Sequence, residues 1–138
     1  MYRKWFSIAV LVASATLLLS VSSCGHSQQL VSIAVQPSSV TFLSPDTNIT
    51  FQLKAYGTYI HPPATKDITG QVTWQSGSTD LVSVTTTGVI STANTGHCGV
   101  TDVIANMFTD SGNPKGNVVT TTITATVVDT TTPVCPQH

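Results

Sequence analysis

Beyond its first two dozen positions this chain is organised by alternation. Ile49, Phe51, Leu53 and Ala55 fall on one side of an extended backbone, with Thr50, Gln52 and Lys54 on the other. That period of two marks a strand with one face buried and one face wet. Val119, Thr121, Ile123, Ala125 and Val127 repeat the pattern near the C-terminus. Shorter runs lie between. Val31, Ile33 and Val35 alternate until Pro37 stops them; then come Val40 with Phe42, Val72-Thr73-Trp74, Leu81 to Val84, and Val89-Ile90-Ser91. Val100 to Phe108 reads as a strand whose facing is open, because Val103, Ile104 and Ala105 are consecutive apolar residues. Tyr56 to Lys66, with Gly57, Pro62 and Pro63, reads as a loop or irregular edge, and Asp110 to Gly116 as a turn. Beyond the N-terminal segment no stretch keeps a helical period. The pattern predicts an all-β chain, a β-sandwich of about seven antiparallel strands.

The N-terminal segment has a different logic. Arg3 and Lys4 give a cationic start, an uncharged apolar stretch runs from Trp5 to Leu19, and the small residues Val21-Ser22-Ser23 lead to Cys24. This is the layout of a secretory signal. Val21-Ser22-Ser23-Cys24 also resembles the lipobox of bacterial lipoproteins. The resemblance implies a diacylglycerol on the Cys24 thiol and cleavage just before it. Two plainer readings compete: an uncleaved membrane anchor of near-spanning length, or an ordinary cleavage site with an incidental cysteine. Two or more acyl chains anchor a protein stably where one holds it marginally. Gly25, where an aspartate would signal retention, implies the outer membrane under the sorting rule of Gram-negative lipoproteins. The chain thus divides into a signal segment (1–23), a lipidated tether (24–29), one domain (30–128) and a tail (129–138).

Charge narrows the partners. After residue 23, three lysines (Lys54, Lys66, Lys115) face six aspartates, leaving a net charge of −3 with histidines neutral. No basic patch forms, which argues against nucleic acid as a partner. Abundant Thr, Ser and Val suit strands. With Cys24 assigned to lipid, Cys98 and Cys135 remain, and in an oxidising compartment a disulfide is the default expectation. Closing that loop would contribute about 3–4 kcal/mol in a chain-entropy account. Two free thiols, or a metal site with His97 or His138, are the alternatives.

The domain's motifs resemble a known family. Val31-Ser32-Ile33-Ala34-Val35-Gln36-Pro37 followed by Ser39-Val40-Thr41, then Phe51 to Gly57, then Asp67-Ile68-Thr69 leading into Val72-Thr73-Trp74-Gln75-Ser76, and finally Val82-Ser83-Val84 and Gly88-Val89-Ile90-Ser91, are similar to the bacterial immunoglobulin-like domain of group 2 (Big_2). The resemblance covers nearly all of the chain after the signal segment and implies an immunoglobulin-like sandwich. It departs from the family at Pro45-Asp46, where glycine is common, at Gly96-His97-Cys98-Gly99, and in having a cysteine pair. Physical roles follow from the residues themselves. Trp74, with Phe51 and Leu53, should form the structural core between sheets. Gly88 permits the positive φ of a tight turn, and Asp67 to Thr69 can bond its own backbone.

Catalytic chemistry finds no foothold. The aspartates are scattered over separate turns, glutamate is absent, and the histidines lie in tether, loops and tail. Neither a metal site nor a cofactor is expected, since a calcium loop needs denser carboxylate spacing. The expectation is a non-enzymatic, lipid-anchored envelope domain acting in adhesion, in surface architecture, or as an accessory subunit contacting another envelope protein. The rival is a carbohydrate- or ligand-binding module using Tyr56, Tyr59 and His61.

Overall fold

The computed structural model describes residues 28–44, 49–93, 97–109 and 116–130. Cys24, Cys135, His138 and the Pro45-Asp46 and 110–115 turn residues lie outside them. Ten strands form: β1 (Gln29–Gln36), β2 (Ser39–Ser44), β3 (Thr50–Gln52), β4 (Lys54–Ile60), β5 (Ala64–Asp67), β6 (Thr73–Ser76), β7 (Val82–Val84), β8 (Val89–Thr92), β9 (Gly99–Thr109) and β10 (Asn117–Asp129). They assemble into sheets ordered β1-β4-β5, β2-β10-β9-β6 and β3-β8-β7. This is an all-β arrangement consistent with a sandwich.

The expected seven antiparallel strands become ten as the described runs divide and pair. The Ile49–Ala55 run divides at Leu53, whose N–H donates to the Gly88 carbonyl at 2.8 Å. Its first part, β3, pairs with β8, and its second part, β4, pairs with β1 and β5. The Tyr56–Lys66 segment, expected as a loop or irregular edge, is a β4–β5 hairpin with β5 at the edge of its sheet, turning at His61 to Pro63. Pairing is also not uniformly antiparallel, because β2 runs parallel to β10 from Ser39 opposite Thr124 to Ser44 opposite Asp129. Pro37 separates β1 from β2, and the two strands join different sheets. A strand that switches layers at a bend ties those layers together.

Facing follows the pleat except at one point. Alternation predicts Val31 inward with Ile33 and Val35. A register shift between Leu30 and Ser32 instead places Leu30 in the core and leaves Val31 outside. In β9 the ambiguous apolar run resolves with Val103 and Ala105 buried and Ile104 on the outer face. The inner positions of β10 are those the alternation predicts, with Ile123, Ala125 and Val127 buried. Phe42 of β2 meets Phe51 of β3 edge-on, with centroids 5.1 Å apart and planes at 70°, a contact between layers.

The link from β5 to β6 is built around Thr69. Its N–H and hydroxyl both donate to Asp67 Oδ1, at 2.9 and 2.6 Å, which closes a side-chain-to-backbone turn. The same hydroxyl oxygen accepts the Ala55 N–H at 3.0 Å, and the Thr69 carbonyl accepts the Trp74 indole N–H at 3.0 Å. One threonine therefore joins β4, the turn and the core tryptophan. The indole's polar atom is satisfied inside the fold, as burial requires.

Candidate functional site

The β4–β5 hairpin holds the residues expected to form a binding platform, and strand parity separates them. Tyr59 shares a face with Ala55 and Gly57 and packs against the core. Tyr56 lies on the opposite face, paired with Ala34 and Asp67. The two rings therefore do not share one surface. His61 sits at the turn, exposed and with φ of 59°, a left-handed conformation in which histidine is enriched among non-glycine residues.

Tyr59 is also covered from outside. The Lys66 ammonium stands 5.0 Å from its ring centroid and donates to Gln28 Oε1 as well. Gln28 Nε2 in turn donates to the Pro62 carbonyl at 3.3 Å. Lys66 is placed over the ring because it sits opposite Gly57 in the ladder, on the same face as Tyr59. Gly57 has no Cβ to fill that space; an added one would lie 2.7 Å from Leu30 Cδ1 and 3.1 Å from Tyr59 Cε2. The outcome is a latch holding Gln28, just before β1, to the hairpin turn.

Among the described residues, Asp67 is perturbed electrostatically. The Asp67 carboxyl lies below its ordinary range, first because the Thr69 hydroxyl donates to it and next because the Thr69 backbone N–H does. Both bonds favour the charged form. This serves the turn: Asp67 is exposed at a strand end, and the Lys54 charge is a smaller influence in the same direction. Among the described residues no group of three or more His, Cys, Asp or Glu side chains could hold a metal ion.

Trp74 and Leu53 are in the core and Phe51 packs against it. Cys98 is buried just before β9. Cys24 and Cys135, the proposed lipid carrier and disulfide partner, lie outside the described residues.

Sequence reasoning missed the outer face of the β9–β10 pair. Phe108 and Val118 are direct cross-strand partners there, 75 % and 51 % exposed. Their neighbours in the chain, Met107 and Val119, face the other way and pack against the core. Nearby Asn106 Oδ1 is buried without a hydrogen-bond partner. The only signal in the sequence is Phe108 itself, at the end of a run whose facing the alternation leaves open. No family model matches this chain, and no curated protein matches it.

Proposed function

We propose that this chain is a non-enzymatic, lipid-anchored immunoglobulin-like domain of the bacterial cell envelope. Strand order carries the reading. In the immunoglobulin sandwich strands A, B, E and D form one sheet and C, F and G the other. Assigning letters in chain order makes β1 A, β3 with β4 B, β6 C, β7 D, β8 E, β9 F and β10 G. The observed pairings β1-β4, β3-β8-β7 and β6-β9-β10 then follow the same orders. Trp74 on the third of these strands occupies the place of the buried tryptophan of that fold. β5 is an addition, and β2 extends the second sheet beside β10. The Big_2-like run from Asp67 through Trp74 to Ile90 supports the same assignment.

The address comes from Val21-Ser22-Ser23-Cys24 and Gly25: acylation of Cys24, cleavage before it, and residence at the outer membrane. Cys98, buried and not a free thiol, is proposed to pair with Cys135 and pin the tail to the sandwich. The role assigned is contact with another envelope protein, in adhesion, surface architecture or as an accessory subunit. Folds of this kind host many activities, so that role rests on analogy with the family. Metabolic palmitate labelling tests the anchor: wild type should incorporate label and Cys24→Ala should not. Equal labelling of both would remove the lipoprotein reading.

A further inference from the structure

Contacts between the two layers align them end to end. Phe51 meets Phe42, which pairs with Val127, itself opposite Gly99. Two residues later Leu53 bonds Gly88, where an added Cβ would lie 3.2 Å from the Trp74 ring, and Trp74 pairs with Ala105. From Phe51 towards Ile60 the chain therefore advances in the same sense as β9 from Gly99 to Thr109. Ile60 pairs with Gln29, and Thr109 pairs with Asn117. Gln28, the His61–Pro63 turn and the outer end of the β9–β10 ribbon consequently lie at one end of the sandwich.

That end carries apolar groups on both layers. Phe108 and Val118 lie on the outer side of the ribbon, beyond the last β6 pairing at Asn106 and well beyond the first β2 pairing at Thr124. Val31, turned outward by the bulge and 45 % exposed, lies on the facing sheet. Lys66, one ladder position beyond Asp67, latches Gln28 at this end, whereas Lys54, Asp102 and Asp129 lie towards the other.

We propose that this end of the domain docks on the lipid surface that holds its anchor, with Phe108 and Val118 entering the headgroup–acyl boundary. The proposal rests on the lipidated Cys24 reading. From Cys24 to Gln28 is four residues, a reach of at most about 14 Å. A domain held that closely, with its tether leaving from the same end as the exposed pair, brings those side chains to the membrane interface. Apolar and aromatic groups are stabilised there, and a nearby cation is favoured by anionic lipid. Leu43, Val100 and Val128 form a comparable exposed set at the opposite end, on the order of 30 Å away along β10. The tether keeps that set off the membrane, which makes it an internal control.

The test uses the full chain, processed in cells and reconstituted into phosphatidylethanolamine–phosphatidylglycerol vesicles with or without dibrominated acyl chains. After cleavage the wild type retains one tryptophan, the buried Trp74, as background. Phe108→Trp should be quenched by brominated lipid at least twofold more than Val100→Trp, with blue-shifted emission. If the protein floats with vesicles but the two variants are quenched equally, or Val100→Trp more, docking by this end is overturned and the anchor stands. If wild type does not float with vesicles, the anchor reading fails and docking falls with it.

Discussion

Replacing Gly88 by alanine tests how closely the β7–β8 turn packs against Leu53 and Trp74. Gly88 closes the turn between β7 and β8: its N–H donates to the Thr85 carbonyl at 3.0 Å, and the Thr85 N–H donates to the Val89 carbonyl at 2.9 Å. Its φ is +80°, and an added Cβ would lie 2.8 Å from the Leu53 carbonyl oxygen and 3.2 Å from Trp74 Cε2 and Cζ2. Two costs combine. A left-handed backbone at a residue with a Cβ costs about 1–2 kcal/mol. Forcing a methyl against a backbone oxygen and a packed indole costs about 1–3 kcal/mol more, because neither is the loose end of a flexible side chain. The expected loss is about 3 kcal/mol, or a Tm lowered by at least about 10 °C for a domain of this size. Gly70→Ala is the reference, since its Cβ would meet nothing within 4 Å and its φ is not in the left-handed region. That change should stay within about 0.5 kcal/mol of wild type. Urea unfolding followed by Trp74 fluorescence measures both. Equal midpoints for the two variants would refute the claim that close approach and positive φ, rather than turn propensity alone, require glycine at 88.

Two further outcomes follow from the turn and the cysteines. Asp67 has a lowered folded-state pKa, so its contribution is present above the unfolded value of about 3.9 and is lost as pH falls through the lower folded value. Wild type should therefore lose more stability than Asp67→Asn as pH drops from 5 to 2; parallel urea midpoints across that range would show that the Thr69 bonds do not favour the carboxylate. If Cys98 pairs with Cys135, Cys135→Ser should lower stability by about 3–4 kcal/mol, and reductant should destabilise wild type while leaving the variant unchanged. An equal response of both to reductant would count against the bond.

The Gly88 and Asp67 turns are legible in the amino-acid sequence because their causes are local. Asp67 bonds a residue two positions away, and Gly88 closes a turn within four. The inner faces of β2 and β10 are legible for the same reason, since alternation along one strand decides which side chains share a face. The break at Leu53 is not, because the acceptor for its N–H lies at Gly88, far along the chain. Val31 turns outward through a register shift against β4, which no alternation within β1 encodes. The candidate site divides in the same way. Tyr56 and Tyr59 are close in sequence, and reading that segment as a loop hides the pleat that separates them. Phe108 and Val118 become a pair only through the β9–β10 register, and their placement at the same end as Gln28 arises only through the alignment of two layers. The β character, the faces of the regular strands and the local turns are written in the order of residues, as short-range consequences of backbone geometry. Which strands become neighbours, which apolar residues stay outside and which end of the domain Gln28 occupies arise only on folding, because each depends on pairings between distant segments.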